Sequence, residues 1–565
     1  LPIKSGRGSL DMSKPSYQDA YDTFNLEAAM AALSGFSQGE LNACYECCDR
    51  HAEQEPDRAA LNYESADGEV RTLTFGELRD LSAKFANVLV SQGILAGDCV
   101  STLLPRSPEL VVVILGAWRA GAVYQPLFTA FGPRAIEQRL GKSMAKLVVV
   151  DERNRAKLNG ASNELAIMSV AASIEASAGT DLDFWKELAG QPPQFAPVML
   201  DPDAPMLLMS TSGTTGPPKS VQVPVKALAA FIAYMRDAVD LRPDDRFWNM
   251  GDPGWAYGLY YGIVGPLALG HSTLLYGGSF TAENAIGVIH RHKITNLAGS
   301  PTAFRLIMAS GPEAVQPIAG QLRAVSSAGE PLNPEVIRWF REHLNVAVHD
   351  QYGQTELGMV VANHHHLEHP VHSGSAGVPC PGYRVVVLDE EDRELGVGEP
   401  GIMAIDCANS PLLWFGGYRE ASPAENRYYR TGDTVEWNPD GSISFLGRSD
   451  DVITSSGYRI GPFDVESALV EHPAVVESAA IGKPDAERTE IVKAFVVLKR
   501  GVEPSLALAE SIKQHVKARL SAHAYPREIE FVQELPKTPS GKIQRFILRS
   551  QETASAPAAP HEATN

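Results

Sequence analysis

Two short apolar runs in this chain flank Met209-Ser210-Thr211-Ser212-Gly213-Thr214-Thr215-Gly216-Pro217-Pro218-Lys219-Ser220. Residues 204–209 read as a buried strand, and residues 221–225 read as another. Between them, Gly213 and Gly216 allow backbone N–H groups to approach an anion closely. Thr211, Ser212, Thr214 and Thr215 add hydroxyl donors, and Lys219 adds a point charge. Such a density of donors exceeds what a turn needs. The stretch therefore reads as a polyanion cradle at the end of a strand. A Walker A loop would need G-x-x-x-x-G-K-[ST] and would open a helix. Counted from Gly213, Pro218 stands where the second glycine belongs, and proline has no N–H to donate.

The chain of 565 residues has room for several domains or subdomains. Its formal net charge of −19 argues against a nucleic-acid surface. No apolar run approaches the roughly 20 residues of a membrane span, so membrane insertion is not expected. The six cysteines, Cys44, Cys47, Cys48, Cys99, Cys380 and Cys407, are sparse, which points to a reducing compartment. The expected location is the cytoplasm, or the mitochondrial matrix in a eukaryote. Cys44-x-x-Cys47-Cys48 near His51 lacks a second ligand pair at finger spacing, and residues 41–53 read as an amphipathic helix. The run His364-His365-His366, with His369 and His372, reads as a polar surface loop.

Along the chain, residues 1–35 form an N-terminal extension. Residues 1–11 precede Met12, lack a starting methionine and read as a cloning scar. Residues 16–33 have helical periodicity and are expected to wrap the main domain. From residue 73 helices and strands alternate, which predicts α/β layers with mainly parallel sheets. Residues 182–196 read as a poorly patterned connector. After Pro400 strands dominate, and after Asp450 a compact α+β unit follows. The expected architecture is an α/β protein: a large N-terminal domain (36–449) of layered α/β subdomains with a small β-rich subdomain, then a small mobile C-terminal α+β domain (450–547). Residues 548–565 are expected to be a disordered tail, rich in Ala and Pro near its end.

Five further segments stand in a fixed order. Ser327-Ala328-Gly329-Glu330-Pro331 lies in a strand-to-turn setting. Asp350-Gln351-Tyr352-Gly353-Gln354-Thr355-Glu356 ends a strand, where ligands of α/β sheets gather. Tyr352 offers a flat face, Thr355 a donor, and Glu356 a hard oxygen ligand suited to Mg²⁺. Tyr429-Arg430-Thr431-Gly432-Asp433 and Gly447-Arg448-Ser449-Asp450 follow. Last comes Pro536-Lys537-Thr538-Pro539-Ser540-Gly541-Lys542, which alone would be a basic surface loop.

Together with the 209–220 loop, these segments resemble the motifs of the adenylate-forming enzymes: acyl- and aryl-CoA synthetases, luciferases and peptide-synthetase adenylation domains. The resemblance covers residues 40–547 and is strongest to medium-chain acyl-CoA synthetases. It implies an AMP-forming ligase that takes a carboxylic acid, ATP, Mg²⁺ and coenzyme A; it says nothing about oligomeric state. Gly329, Glu330 and Pro331 would line the adenine pocket, and Asp350, Gln351, Tyr352, Gly353 and Gln354 would continue it. Asp433 would anchor the ribose with Arg448. Thr355, Glu356 and Lys542 would serve catalysis at the α-phosphate, with Glu356 holding the metal. Asp450 would be the hinge of the C-terminal domain, and Ser456, Gly457, Tyr458, Arg459, Arg488 and Tyr525 would meet coenzyme A.

Within the family, an amino-acid or aryl-acid adenylating enzyme is the alternative. The apolar segment Pro253-Gly254-Trp255-Ala256-Tyr257-Gly258 has no aspartate for a substrate ammonium. A non-catalytic nucleotide-binding protein is the alternative of another class, and intact Lys542, Glu356 and Asp433 argue against it. Trp255 and Gly353 are the acyl-pocket candidates. Acetyl-CoA synthetases resemble this segment but carry tryptophan at the Gly353 position, so a wall is missing here and the expected acids are short branched to medium-chain. Tyr257, Tyr260 and Tyr261 are expected to refill part of the space.

Overall fold

The computed structural model describes residues 14–162, 164–170, 181–211, 219–420, 426–455, 458–485, 488–520, 524–537 and 542–555. Ser212, Gly213, Thr214, Thr215, Gly216, Ser456 and Gly457 lie outside them, as do residues 1–11 and 556–565.

The alternating pattern folds as expected. Thr74 and Glu77 form a reciprocal capping box that starts the helix Phe75–Ser91. Ser107 caps the helix Pro108–Arg119, which is buried along nearly its whole length. These helices cover a seven-stranded sheet in the order Leu182–Asp183, Ala166–Val170, Leu147–Asp151, Cys99–Leu103, Val123–Pro126, Pro205–Ser210, Ser220–Pro224. Its pairs are parallel except the last, Pro205–Ser210 with Ser220–Pro224. A three-stranded sheet, Thr273–Tyr276, Ala59–Glu64 and Val70–Thr74, lies beside it in the chain's first half.

The second large sheet has ten strands among the described residues and changes character half-way. Phe247–Asn249, Asn296–Gly299, Ala324–Ala328 and Val348–Gln354 run parallel. Gly358–Ala362 then turns back antiparallel, and Ser375–Pro379, Ile443–Arg448, Tyr428–Trp437, Gly401–Asp406 and Val385–Leu388 continue antiparallel. The antiparallel half is the expected β-rich subdomain, joined to the parallel half through the hairpin 348–362.

The C-terminal unit is an α+β layer. Val475–Asp485 and Thr489–Leu498 form a long hairpin, flanked by Ile453–Ser455, Tyr458–Ile460 and a parallel Glu528–Phe531. The helices Pro462–Val470 and Leu506–Arg519 supply Val465, Leu469, Ile512 and Val516 to its core.

Several expectations are corrected. The connector 182–196 contains the strand Leu182–Asp183 and the helix Phe184–Ala189, capped by Asp183; its buried Phe184 and Leu188 are too few to show a period in sequence. Residues 16–33 form two short helices, Tyr17–Asp22 and Leu26–Met30, because Asn25 starts a new cap. Tyr17 and Tyr21 donate to the carbonyls of Pro379 and Tyr383 at 2.9 and 3.0 Å, which lays this segment on the main domain.

The histidine run is not a surface loop: His364 and His365 are 2% and 8% exposed. His365 stacks face to face on His349 with centroids 3.9 Å apart, and His364 packs against Tyr17 and His369. Residues 45–49 form a π-helical turn before Arg50–Gln54, and Cys44, Cys47 and Cys48 are buried free thiols. Residues 548–555 are not part of a tail, since the helix Arg545–Ser555 docks Leu548 into a small apolar core with Ile481 and Phe495. No described helix is long and apolar enough to cross a membrane.

Candidate active site

The strand Val348–Gln354 is the last of the parallel half, so its carboxyl end opens at the point where the sheet changes direction, the usual place for a ligand. A register shift between Tyr352 and Gly353 turns these residues towards the antiparallel half. There Asp433, 4% exposed on Tyr428–Trp437, accepts from Tyr352 Oη, from Gln354 Nε2 at 3.0 Å and from Arg448 Nη1 at 3.3 Å. Gln354 is itself held, by Tyr429 Oη at 3.0 Å and by donating to the Thr431 carbonyl at 3.0 Å. Burial raises the Asp433 carboxyl above its ordinary range, while Arg448, the two hydrogen bonds and the charge of Lys542 pull it down. Lys542 therefore acts on the same carboxylate that the sequence pairs with ribose.

Behind this hub, Ala324–Ala328 ends in Gly329 at φ +98°, with open space where a side chain would begin. Glu330 is fixed by Thr302 Oγ1 at 2.9 Å and Arg305 Nη2 at 3.0 Å. Asp350 braces the turn, since its Oδ2 accepts from Leu332 N at 3.3 Å; its buried Oδ1 has no partner. Gln351 points to the other face of the strand. It is 2% exposed, accepts from Tyr234 Oη and donates to Ser326 Oγ at 3.3 Å, so its side chain is core rather than ligand surface.

At the phosphate end, Ser210 and Ser220 are paired in register and Thr211 N donates to the Lys219 carbonyl at 2.9 Å. The loop thus closes a hairpin and opens no helix, which removes the Walker reading. Lys219 Nζ lies 4.5 Å from the ring centre of Tyr418, and Tyr418 Oη donates to Glu356 Oε1 at 2.8 Å. Among the described residues nothing donates to Glu356 Oε2. A lone carboxylate with one free oxygen suits Mg²⁺, which takes one or two protein carboxylates and fills its octahedron with phosphate and water. The Thr355 carbonyl accepts from Tyr260 Oη at 3.2 Å.

The acyl-pocket candidates are differently placed. Trp255 sits against Phe128 and Phe131, 5.4 and 5.7 Å between centroids, with its buried Nε1 unpartnered. A Cβ on Gly353 would collide with the Gly358 carbonyl and crowd Met359 Sδ, so glycine is required there by the close approach of two backbones. Tyr260 and Tyr261 are core residues, 0% and 3% exposed and packed on Phe231 and Tyr234, and are not free to refill space.

On the C-terminal unit, Tyr458 and Arg459 fall in the strand Tyr458–Ile460, Arg488 N donates to Asp485 Oδ1 at 2.9 Å, and Tyr525 lies between Lys517 and Arg527, 5.4 and 5.2 Å from its ring centre. Asp450 lies 3.7 Å from Arg448 Nε and is half-exposed, whereas Asp451, 11% exposed, is paired with Arg545 and Arg549. The residue that sequence reasoning passed over is Tyr418. Its neighbours Phe415, Gly416 and Gly417 carry no motif, and only the aromatic density around it could have singled it out.

Comparison with known proteins agrees with this geometry. The AMP-binding enzyme family matches residues 48–410, and the AMP-binding enzyme C-terminal domain matches residues 464–542. The chain belongs to the AMP-binding enzymes. Over 553 residues it is 38% identical to the acetyl-coenzyme A synthetase of Bacillus subtilis, covering 96% of each chain. It is 34% identical to the mitochondrial acyl-coenzyme A synthetase ACSM4 of Rattus norvegicus, over 89% of this chain and 88% of that one. Among solved structures, an acyl-CoA synthetase of Brucella canis shares 59% identity at a TM-score of 0.78, covering 96% of this chain and 99% of the other. The anthranilate CoA ligase AuaEII in complex with anthranoyl-AMP shares 28% identity at a TM-score of 0.84, covering 91% and 98%. This AMP-binding enzyme is an acid–thiol ligase of the acyl-CoA synthetase kind, with the chemistry of ATP, coenzyme A and a carboxylic acid.

Burial pushes the Asp350 carboxyl up to about 8, against the pull of the Leu332 and Gln351 N–H groups. The folded enzyme then holds a proton that the unfolded chain releases near its ordinary value of 3.8. Asp350 thus stabilises fully at low pH and loses that contribution as pH rises from about 4 to about 8, by up to ~1.4 kcal/mol per pH unit. Denaturant unfolding across this range should show Asp350→Asn falling less steeply with pH than the wild type. Parallel curves would place the Asp350 titration elsewhere.

Proposed function

We propose that the enzyme activates short branched to medium-chain carboxylic acids as acyl-adenylates and passes them to coenzyme A, with the nucleotide seated on Asp433 and the reacting anions met by Lys542. The observation that carries the proposal is the Asp433 hub, which gathers Tyr352, Gln354 and Arg448 where the parallel strands end. In the first step a carboxylate oxygen bonds to the α-phosphorus of ATP and the bond to pyrophosphate breaks. Two anions are brought together there, so fixed cations aimed at the developing charge are the main service a protein can render. Lys542 is that cation, Thr355 donates to the α-phosphate, and Arg448 and Asp433 hold the ribose. Glu356 would hold Mg²⁺, which when bound neutralises phosphate charge. In the second step the thiolate of coenzyme A attacks the acyl carbon and AMP leaves. Arg488, Tyr525 and the strand Tyr458–Ile460 serve that step after the C-terminal unit turns about Asp450.

The acyl preference rests on Gly353 and Trp255. The wall that a large side chain at residue 353 would build is missing, and the Gly358 backbone leaves no room for one. Each extra methylene buried in the space gains about 0.8 kcal/mol, roughly fourfold in affinity. Trp255, backed by Phe128 and Phe131, limits the depth, which favours acids of about C3–C8. The printed names of several relatives, among them that of Bacillus subtilis, favour acetate as the second reading. Because the turn 354–358 must move to accept Gly353→Trp, a substrate panel is the cleaner test. CoA-dependent AMP release should rise from acetate to acids of four or more carbons; a maximum at acetate would refute the proposed preference.

Lys542→Ala should lower carboxylate-dependent exchange of pyrophosphate into ATP by about 10²–10³, the usual loss for one such electrostatic contact. It should spare thioester formation from supplied acyl-AMP, and equal damage to both half-reactions would remove the role from Lys542. Asp450→Pro should do the reverse, because proline fixes φ near −65° and blocks a hinge. Acyl-AMP would form and accumulate while multiple-turnover ligation stalls; ligation at the wild-type rate would show that the hinge lies elsewhere.

A further inference from the structure

The 209–220 loop and the Thr355-Glu356 turn belong to different sheets, and a third segment joins them. Tyr418 makes a bridge with Val221, Arg419 N donates to the Ser220 carbonyl at 3.0 Å, and Ser220 N donates to Glu420 Oε2 at 3.0 Å. Residues 418–420 thereby add themselves to the edge of the hairpin that carries the phosphate loop. The ring of Phe415 meets that of Tyr418 edge-on at 5.2 Å, so the tyrosine is held by backbone on one side and by an aromatic ring on the other.

From this fixed seat Tyr418 makes two contacts of different kinds. Its ring face lies 4.5 Å from Lys219 Nζ, within the range of a cation–π contact. Its hydroxyl donates to Glu356 Oε1 at 2.8 Å, which leaves Oε2 for another partner. We propose that Tyr418 is a positioning residue that sets the phosphate-loop lysine and the metal-binding carboxylate at a fixed separation, so that Lys219 and a Glu356-bound Mg²⁺ meet one triphosphate together. This rests on the roles proposed above for Lys219 and Glu356. Without the hydroxyl the Glu356 carboxylate would be free to rotate, and the ion would have to be caught by a mobile ligand. Without the ring, Lys219 would lose the surface that steers its ammonium.

The two contacts are separable by substitution. Tyr418→Phe keeps the ring and removes the hydroxyl; Tyr418→Leu removes both. ATP binding measured by calorimetry, in EDTA and across a Mg²⁺ titration, reads them independently of any carboxylate. Tyr418→Phe should bind metal-free ATP within twofold of the wild type while its Mg²⁺ half-saturation rises about tenfold, the loss of one hydrogen bond to a charged group. Tyr418→Leu should show the same metal shift and, in addition, roughly two- to fivefold weaker metal-free ATP binding, as expected for one cation–π contact. Tyr418→Met replaces the leucine variant if that one does not melt as a folded protein.

An unchanged Mg²⁺ half-saturation in Tyr418→Phe would overturn the link to Glu356. Equal metal-free affinities in the Phe and Leu variants would overturn the link to Lys219. A uniform fall in melting temperature with neither shift would make Tyr418 a packing residue only and refute the inference. Failure of the acyl reading is distinguishable, because an enzyme inert towards every acid in the panel would still give these binding curves.

Discussion

Asp433 is a carboxylate taken out of water, where burial raises its pKa and its partners offset part of that rise. Leaving such a group unpaired inside a protein costs several kcal/mol, so its partners are constrained as tightly as it is. Tyr352 and Gln354 come from the end of the parallel half-sheet, Arg448 from the next antiparallel strand, and Lys542 reaches it from the C-terminal unit. Four pieces of chain that are distant in sequence are thus required to agree on one point in space. Gln354 extends the agreement to Tyr429 and Thr431. The seat proposed for the nucleotide is consequently formed without one, and the hydrogen bonds that position it are part of the stability of the sheet itself.

The phosphate end is built on another principle. A loop that opens a helix can hold phosphate with backbone N–H groups and the helix dipole. Here the loop closes an antiparallel hairpin, and the helix Leu228–Asp237 begins only after Ser220–Pro224. No helix among the described residues starts at that place, so in the proposed site neutralisation would fall to side chains: Lys219 on the hairpin, Arg448 beside the hub and Lys542 across from it. Side-chain cations differ from a dipole in one respect that matters for a two-step reaction. A cation carried on a separate unit can be withdrawn once its step is complete, and the surface it occupied becomes available to the second substrate.

What the sequence made legible follows from how local each feature is. The strand–loop–strand at 204–225, the strand end at 350–356 and the lysine at 542 are contiguous strings, and each carries its chemistry in neighbouring residues. The antiparallel subdomain could be read from the run of strands after Pro400. Tyr418 could not, because its bridge to Val221 and the bonds of Ser220 to Glu420 join residues 200 positions apart. Gly353 was legible as a missing side chain but not as a forced one, since the colliding atom is a backbone oxygen of a hairpin whose register shift has no sequence signature. The histidine run misled for a related reason. Polarity suggested solvent, whereas His365 stacks on His349 and bonds the Val325 carbonyl, and His364 packs on Tyr17 with its ring nitrogens unpartnered among the described residues. The short helix Phe184–Ala189 and the terminal helix Arg545–Ser555 were missed because tertiary contacts, not periodicity, stabilise them.

That terminal helix bears on how Lys542 is aimed. It begins three residues after the lysine and is fastened on two sides. Arg545 grips Glu466 at 2.8–3.1 Å, and Arg545 and Arg549 both meet Asp451. At its far end Glu552 pairs with Lys483 and with the buried Lys493. On the near side of the loop, Lys537 pairs with Glu477 at 2.7 Å and bridges to Ile543. Both ends of the loop that presents Lys542 are therefore tied to the body of the C-terminal unit, and one of the ties is to the residue next to the proposed hinge. Among the described residues, polar contacts between the units include Asn333 to Ser467 at 3.0 Å and Arg338 to Glu471 at 3.1 Å, which are partly exposed. Contacts of that kind are worth little each. A unit fastened in this way would carry Lys542 with it as one body in the proposed turn about Asp450, and the position of the lysine would then follow from the angle of that hinge, with no loop rearrangement to wait for.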